Sequence, residues 1–378
     1  MNIGIVCYPT FGGSGVVATE LGKALAAQGN KVHFITYQMP VRLASLTSNL
    51  FYHEVNVSDY PLFDYPPYEL VLTSKLVNVV ENEKLDILHV HYAIPHASAA
   101  LAAKAILAQK GIHIPVVTTL HGTDITLVGK DPSFEPVITY AINNSDVVTA
   151  VSESLAADTK RFFKVTREIK TIPNFLCMDK MDKARLGQCK KAQFAEEHEK
   201  LLVHVSNFRP VKRIADVIQI FYRVQQQIPA KLLMAGDGPE RTSAEYLCRQ
   251  LGISDKVIFV GKVKNPLEVL CMSDLFLLPS ETESFGLAAL EAMGLGVPVI
   301  STNSGGLPEV NIHGKTGFTA NVGDVDKMAE HAVALLKDEV LYSQLQKGAL
   351  DQAASFDISS ILPQYLSIYE QFKTALTK

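Results

Sequence analysis

Residues 280–300 read SETESFGLAALEAMGLGVPVI, and the fold can be worked out from them in both directions. The apolar run Leu275–Leu278 just upstream has the continuity of a buried strand, and Leu287, Leu290, Ala292 and Met293 recur at helical spacing. The spacing predicts a helix opening near Phe285, followed by a second strand over Val297–Ser301. A strand, a turn, a helix and a strand in one short stretch make a parallel βαβ unit. The helix start leaves backbone N–H groups unpaired over Ser284, Phe285, Gly286 and Leu287, where the positive end of the dipole suits phosphates. Gly286 lets a ligand approach the backbone closely. Glu283 precedes the helix, and Glu291 lies inside it. Carboxylates repel phosphate, so hydroxyls on either side of a diphosphate are their natural partners: the ribose diol for Glu291 and the sugar of a nucleotide sugar for Glu283. The same spacing also suits an acidic first turn that only stabilises the helix.

The start of the chain repeats the pattern. NIGIVCY at 2–8 is a continuous apolar run, GGSG follows at Gly12–Gly15, and VVATELGKALAAQG reads as an amphipathic helix closed by Gly29. From Gly13, GSGVVA matches the dinucleotide pattern G-x-G-x-x-A, but that pattern wants an acid near the end of the second strand, where KVHFITYQMP offers Tyr37 and Gln38. Further strands are expected at 51–57, 86–91, 115–120 and 146–151, with helices near 68–83, 95–111 and 134–143. A second β-α alternation begins with LLVHVS at 201–206 and continues through strands at 231–235, 256–260, 275–278 and 297–301. The fold class is therefore α/β, with two Rossmann-like doubly wound domains facing a central cleft. The boundary is expected at IPNF, 172–175, followed by a charge-rich stretch over 179–200, giving domains 1–173 and 174–356. A last segment, Ile358 to Leu376, is helical in pattern.

A chain of 378 residues suits two domains rather than one core. Its 35 Lys and Arg against 39 Asp and Glu lack the basic excess that nucleic acid or an anionic membrane would attract. The five cysteines are scattered without a Cys-x-x-Cys, which a reducing cytoplasm accounts for most simply. The longest apolar run, Ala97–Ala108, is broken by Lys104, so neither a signal peptide nor a spanning helix is expected. No metal and no cofactor are implied, and a homo-oligomer is possible.

Several segments share one resemblance. Glu283 and Glu291, GDGP at 236–239, SNFRPVKR at 206–213, VGKV at 260–263 and TNSGGLPEV at 302–310 resemble, in this order, the retaining glycosyltransferases of family 4, which adopt the glycosyltransferase B fold. The resemblance implies a nucleotide-binding turn at Gly236, base-reading backbone at Val263 and a phosphate segment in which Lys212 matches. The usual upstream Arg falls on Asn207, with Arg209 two residues on, which leaves open the cation that supplements Lys212. HGTD at 121–124 places His121 where these enzymes carry a histidine near donor sugar and acceptor; by itself a lone histidine is more often structural. In enzymes of this fold the last helix crosses back onto the first domain, so 357–378 is expected there.

CYPTFGGSGVVATELG, VHYAIPHA and HGTDIT extend the resemblance to the family branch that moves N-acetylglucosamine from UDP-N-acetylglucosamine to L-malate with retention, opening bacillithiol biosynthesis. It implies catalytic roles for His121, Glu283 and Lys212, and no carboxylate is motif-placed as a nucleophile beneath the sugar. For the acceptor's carboxylates, the amides at Gly13, with the Ser14, Tyr92 and Thr119 hydroxyls, are the candidates, and Arg42, Lys130 and Arg161 are possible cations. The rival classes are a family-4 enzyme with another acceptor, a UDP-N-acetylglucosamine 2-epimerase and a non-catalytic nucleotide-sugar sensor.

Overall fold

The computed structural model describes residues 1–10, 12–43, 48–57, 65–181 and 189–373. The middle of the charge-rich 179–200 stretch and the last residues of the expected C-terminal helix lie outside them. The chain forms two compact units, residues 1–174 with 358–378, and residues 175–357.

The first unit is a parallel sheet of strands β1 (Asn2–Val6), β2 (Lys31–Thr36), β3 (Leu50–Glu54), β4 (Ile87–His91), β5 (Val116–Leu120), β6 (Val147–Ala150) and β7 (Ile169–Thr171), ordered β3-β2-β1-β4-β5-β6-β7. Among the described residues every pairing is parallel, and β1, β4 and β5 are almost wholly buried, which is why they read as unbroken apolar runs. Helices Gly13–Ala27, Tyr68–Glu83, Ser98–Gln109, Glu135–Asn144 and Glu153–Phe162 connect the strands. The helix Ile358–Lys373 belongs to this unit: Tyr369 Oη lies 2.6 Å from His89 Nδ1 on β4, and the Tyr365 ring packs at 5.5 Å on the same imidazole.

The second unit repeats the plan with β8 (Lys200–Ser206), β9 (Ala230–Gly236), β10 (Val257–Gly261), β11 (Leu275–Leu278), β12 (Val299–Thr302) and β13 (Gly317–Ala320), ordered β10-β9-β8-β11-β12-β13. Helix Ile214–Gln225 covers one face, burying Ile214, Val217, Ile218, Phe221 and Val224 at the 3.6-residue period against Leu202, Leu232 and Met234 of the sheet. The short strands β7 and β13 were not anticipated: IKT and GFTA are too short to show a period. The helix expected to open near Phe285 runs Leu287–Gly294, because Gly286 at φ +93° is its N-cap.

Both sheets reverse direction at one point, between β1 and β4 and between β8 and β11. A ligand in a doubly wound sheet binds outside the carboxyl ends of the strands at such a switch point. Positive-φ backbone at the carboxyl ends of the strands includes Tyr92 at φ +85° after β4, Gly122 at +109° after β5, Phe208 at +33° and Arg213 at +52° after β8, and Gly236 at +132° closing β9.

Cys189 and Cys271 are joined in a disulfide across 82 positions of sequence, a pairing their spacing gave no hint of, while Cys7 and Cys248 are buried thiols.

Candidate active site

In the first unit β1 is followed in sequence by the helix Gly13–Ala27. Only glycine fits at Gly15, where a Cβ would stand 2.5 Å from the Tyr8 carbonyl and 2.7 Å from that of Thr10. The helix N-cap is Gly12 with no side chain over it, so the first amides face outward. Across the switch point Tyr92 donates its hydroxyl to Ser14 Oγ at 2.7 Å, and its own N–H is held by the Thr119 carbonyl at 2.9 Å. Burial pushes the Tyr92 phenol well above its usual range, so it stays a neutral donor, and Ser14 keeps its own proton for an incoming acceptor. A tyrosine held at positive φ is a strained residue of the kind found where a ligand is gripped.

His121 follows β5 with its Nε2 2.8 Å from His91 Nδ1, the two rings stacked at 5.0 Å. Burial lowers the His121 pKa to about 3 and holds His91 well below its ordinary value, so the pair shares one proton between two neutral rings. Asp124 fixes the turn: its Oδ2 accepts from the Ala93 N–H at 2.7 Å and its Oδ1 from the Gly122 N–H at 3.2 Å. Burial raises its pKa to about 6, against the pull of those backbone donors.

The structure brings Gly13, Ser14, Tyr92 and His121 to this end of the sheet but not the hydroxyl of Thr119. That side chain is fully buried, shared between His89 Nε2 and Thr149 Oγ1 at 2.7 Å each, so it braces the strands instead of facing an acceptor. Thr119→Val is expected to leave the His89 nitrogen unmatched and cost about 1–3 kcal/mol of stability. Acceptor KM should not change, a split that thermal melts and steady-state kinetics resolve. His91 and Asp124 are legible in the sequence as polar residues at the carboxyl ends of strands, whereas His96 was missed by sequence reasoning. Of the suggested cations, Arg161 lies 4.5 Å from the Phe162 ring and 3.3 Å from Asp158, and Lys130 lies 5.9 Å from the same ring.

Buried imidazoles give this unit a defined acid response. The pKa values of His33, His89, His96 and His121 are lowered by burial to between about 3 and about 4. Below the ordinary histidine value of about 6.5 the unfolded chain therefore binds protons that the folded chain refuses, and stability falls as pH falls. Asp124, with its raised pKa, acts in the opposite sense but is one group. The melting temperature should decline steadily from about pH 6.5 to about pH 4; a flat profile would contradict neutral burial of these rings.

In the second unit the loop after β8 carries SNFRPVKR. Its fold depends on two close approaches: a Cβ on Gly236 would meet the Ser206 carbonyl at 1.7 Å, and one on Gly238 the Asn207 carbonyl at 2.3 Å. His204, buried in β8, lies 2.7 Å from Ser206 Oγ, which accepts from the Phe208 N–H at 3.3 Å. Lys212 pairs with Glu283 Oε1, which also accepts from the Ser280 hydroxyl at 3.0 Å. Arg213 is committed to Asp216 at 2.6 Å, and Arg209 is exposed and has no ion-pair partner among the described residues. The Glu283 carbonyl accepts from the Gly306 N–H at 2.8 Å, which ties the glutamate to the TNSGG loop. Phe285 turns its ring inward onto Phe356 at 5.6 Å, so only its backbone is available to a ligand, and Glu291 is buried. Val263 is partly buried just beyond β10, and Asn207 is exposed.

Residues 11–180 match the model of Glycosyltransferase Family 4, and residues 188–352 that of Glycosyl transferases group 1. The N-acetyl-alpha-D-glucosaminyl L-malate synthase of Bacillus anthracis is 49% identical over 370 residues, covering 98% of this chain and 96% of that one. The 2-deoxystreptamine N-acetyl-D-glucosaminyltransferase of Niallia circulans is 31% identical over 39% of the chain and 38% of its own. Among solved structures, Anabaena HepE in complex with UDP and glucose superposes with a TM-score of 0.82 at 18% identity over 98% of this chain and 99% of that one. Sucrose-phosphate synthase from Thermosynechococcus elongatus reaches 0.80 at 20% identity over 99% of each chain. Two family models end to end, half the residues shared with a full-length relative, and two Rossmann-like sheets of matching fold place this chain in the family-4 glycosyltransferases, of glycosyltransferase B architecture.

Proposed function

We propose that this enzyme transfers N-acetylglucosamine from UDP-N-acetylglucosamine to the hydroxyl of L-malate with retention, the opening step of bacillithiol biosynthesis, in the cytoplasm. The observation that carries the reading is the end-to-end identity of 49% with a relative bearing that activity in its name.

The geometry of each unit supports assigned roles. In the second unit Lys212, with Arg209 beside it on the same loop, would hold the diphosphate against the amides of Ser284, Phe285, Gly286 and Leu287, while Glu291 takes the ribose diol. Arg209 fills the place left open by Asn207, because it is exposed and uncommitted whereas Arg213 is engaged by Asp216. Lys212 pairs with Glu283 in the chain alone; an arriving diphosphate competes for the ammonium and releases Glu283 to accept from a hydroxyl of the sugar. In the first unit the outward amides at Gly13 and the Ser14 and Tyr92 hydroxyls would receive a carboxylate of malate.

No carboxylate is assigned as a nucleophile. The leaving diphosphate takes the proton of malate's hydroxyl on the face it departs from, and Lys212 with the amides at 285–287 bears the charge that develops. His121, neutral at physiological pH and locked by His91, acts as a hydrogen-bonding group near the reacting atoms and carries no charge. UDP release is the test. Purified protein with UDP-N-acetylglucosamine should release UDP only when L-malate is added, with a glycosyl-malate product by mass. Release indifferent to malate would discard this acceptor, and sugar epimerisation without net UDP would discard transfer.

A further inference from the structure

His33, His53 and Glu83 stand 20 and 30 positions apart in sequence, and no spacing rule links them. The sheet does. In register His33 of β2 lies opposite Phe51 of β3, and His53 is two residues further along β3 on the same face. The His33 ring stacks on Phe51 at 4.6 Å and on His53 at 5.2 Å. Glu83 is the last residue of the helix Tyr68–Glu83, whose end is tied to β1 where the Asn2 side chain donates to the carbonyls of Glu83 and Lys84 at 3.0 and 3.1 Å. One ligand atom from each of the three residues falls within 4.8 Å of the other two.

We propose that His33 Nδ1, His53 Nε2 and a Glu83 carboxylate oxygen form a site for a borderline divalent cation of the Zn²⁺ type. Two imidazoles and one carboxylate are the donor set such ions favour, with water completing the shell. The two nitrogens lie 2.9 Å apart. At a Zn–N bond of about 2.1 Å and a tetrahedral angle they would stand roughly 3.4 Å apart, so an opening of about half an ångström exchanges the shared proton for the ion. Burial lowers the pKa of both rings, which leaves them neutral as ligands must be. The glutamate adds a negative charge at a helix carboxyl end, where a cation is favoured. Lys31 and Lys75 oppose it electrostatically. His33 Nε2 is buried without a hydrogen-bond partner, and a ligand lacking that outer support binds about 10–100-fold more weakly than one that has it.

The location gives the ion a structural role. Asn2, which holds the helix end, is the first residue of β1 and pairs with Lys31, the first of β2, so Glu83 sits towards the amino ends of the strands. The acceptor residues lie at the carboxyl ends. Strand β3 is the edge of the sheet, and an ion bridging β2, β3 and the helix end pins that edge.

The test uses the full chain, freed of metal by chelator and titrated with Zn²⁺. One ion per chain should bind by equilibrium dialysis, with Tm rising by at least about 2 °C, while malate-dependent turnover at about 25 °C stays the same with and without the metal. His53→Gln and Glu83→Gln, both on partly or fully exposed side chains, should each abolish the Tm rise and weaken binding at least tenfold with turnover unchanged. His331→Gln, beside His313 in the second unit, should leave Zn²⁺ binding and the Tm rise unchanged. No binding, or binding that survives both substitutions, would overturn the site. Zn²⁺ binding and Tm are read without any substrate, so the site and the malate reading, on which it does not rest, fail separately.

Discussion

Lys212→Ala is expected to lower turnover by about 10²–10³-fold, the loss that follows removal of one preorganised donor aimed at developing charge. The reason lies in the company Lys212 keeps. Its loop is set by the close crossing of Ser206 and Gly236, and its ammonium is held in place by Glu283 before any donor arrives. A cation prepositioned in this way needs little reorganisation when charge accumulates on UDP. The loss should appear mainly in kcat, because in the proposed binding mode the amides at 284–287, Arg209 and Glu291 still hold the ground-state donor. Steady-state UDP release, with donor affinity measured separately by UDP titration, separates the two terms. Near-normal turnover would remove Lys212 from the charge-bearing role.

Gly305→Ala is the second large effect, and it acts without touching a charged group. Gly305 sits at φ +60°, and a Cβ there would stand 2.0 Å from the carbonyl oxygen of Glu283 and 3.0 Å from its carbonyl carbon. Backbone cannot yield as a flexible side chain does, so the loop bearing Glu283 must move. The strained φ costs about 1–2 kcal/mol and the overpacking about 1–3 kcal/mol more. Displacing a positioning group by about 1 Å costs on the order of 10²-fold in rate. Gly314→Ala is the matched control: its φ is +72°, but nothing lies within 4 Å of the added methyl. That variant should lose stability through the backbone alone and keep full activity. Equal activity in the two variants would show that the Gly305 contact does not position Glu283.

Much of this could be read from the chain. Continuous apolar runs such as NIGIV and LFLL, each bounded by turn signals, read as strands covered on both faces, and strands alternating with helical periods leave a doubly wound sheet as the natural packing. The glycines at 12, 236 and 286 were legible as turn positions, since each lies between a strand run and a helix run. The residues proposed as phosphate seat and flanking carboxylates could be picked out for the same local reason: a helix start and the residues flanking it are neighbours in sequence. Strands β7 and β13 were lost because three or four residues carry no measurable period.

What crosses from one strand to another was not legible. Thr119 looked like an acceptor contact from its place at a strand end, yet strand pairing with β4 and β6 gave its hydroxyl to His89 and Thr149. His91 became the partner of His121 through the pairing of β4 with β5, and Lys212 that of Glu283 through the loops that follow β8 and β11. Cys189 found Cys271, and His33 found His53 and Glu83, by the same route. The sequence by itself determined the family, the two parallel sheets and the segments that line their carboxyl ends, because these depend on periods and motifs a few residues long. The tertiary structure alone decided which polar group meets which, because hydrogen bonds, ion pairs and metal sites are made between residues that only the sheet order brings within a few ångströms.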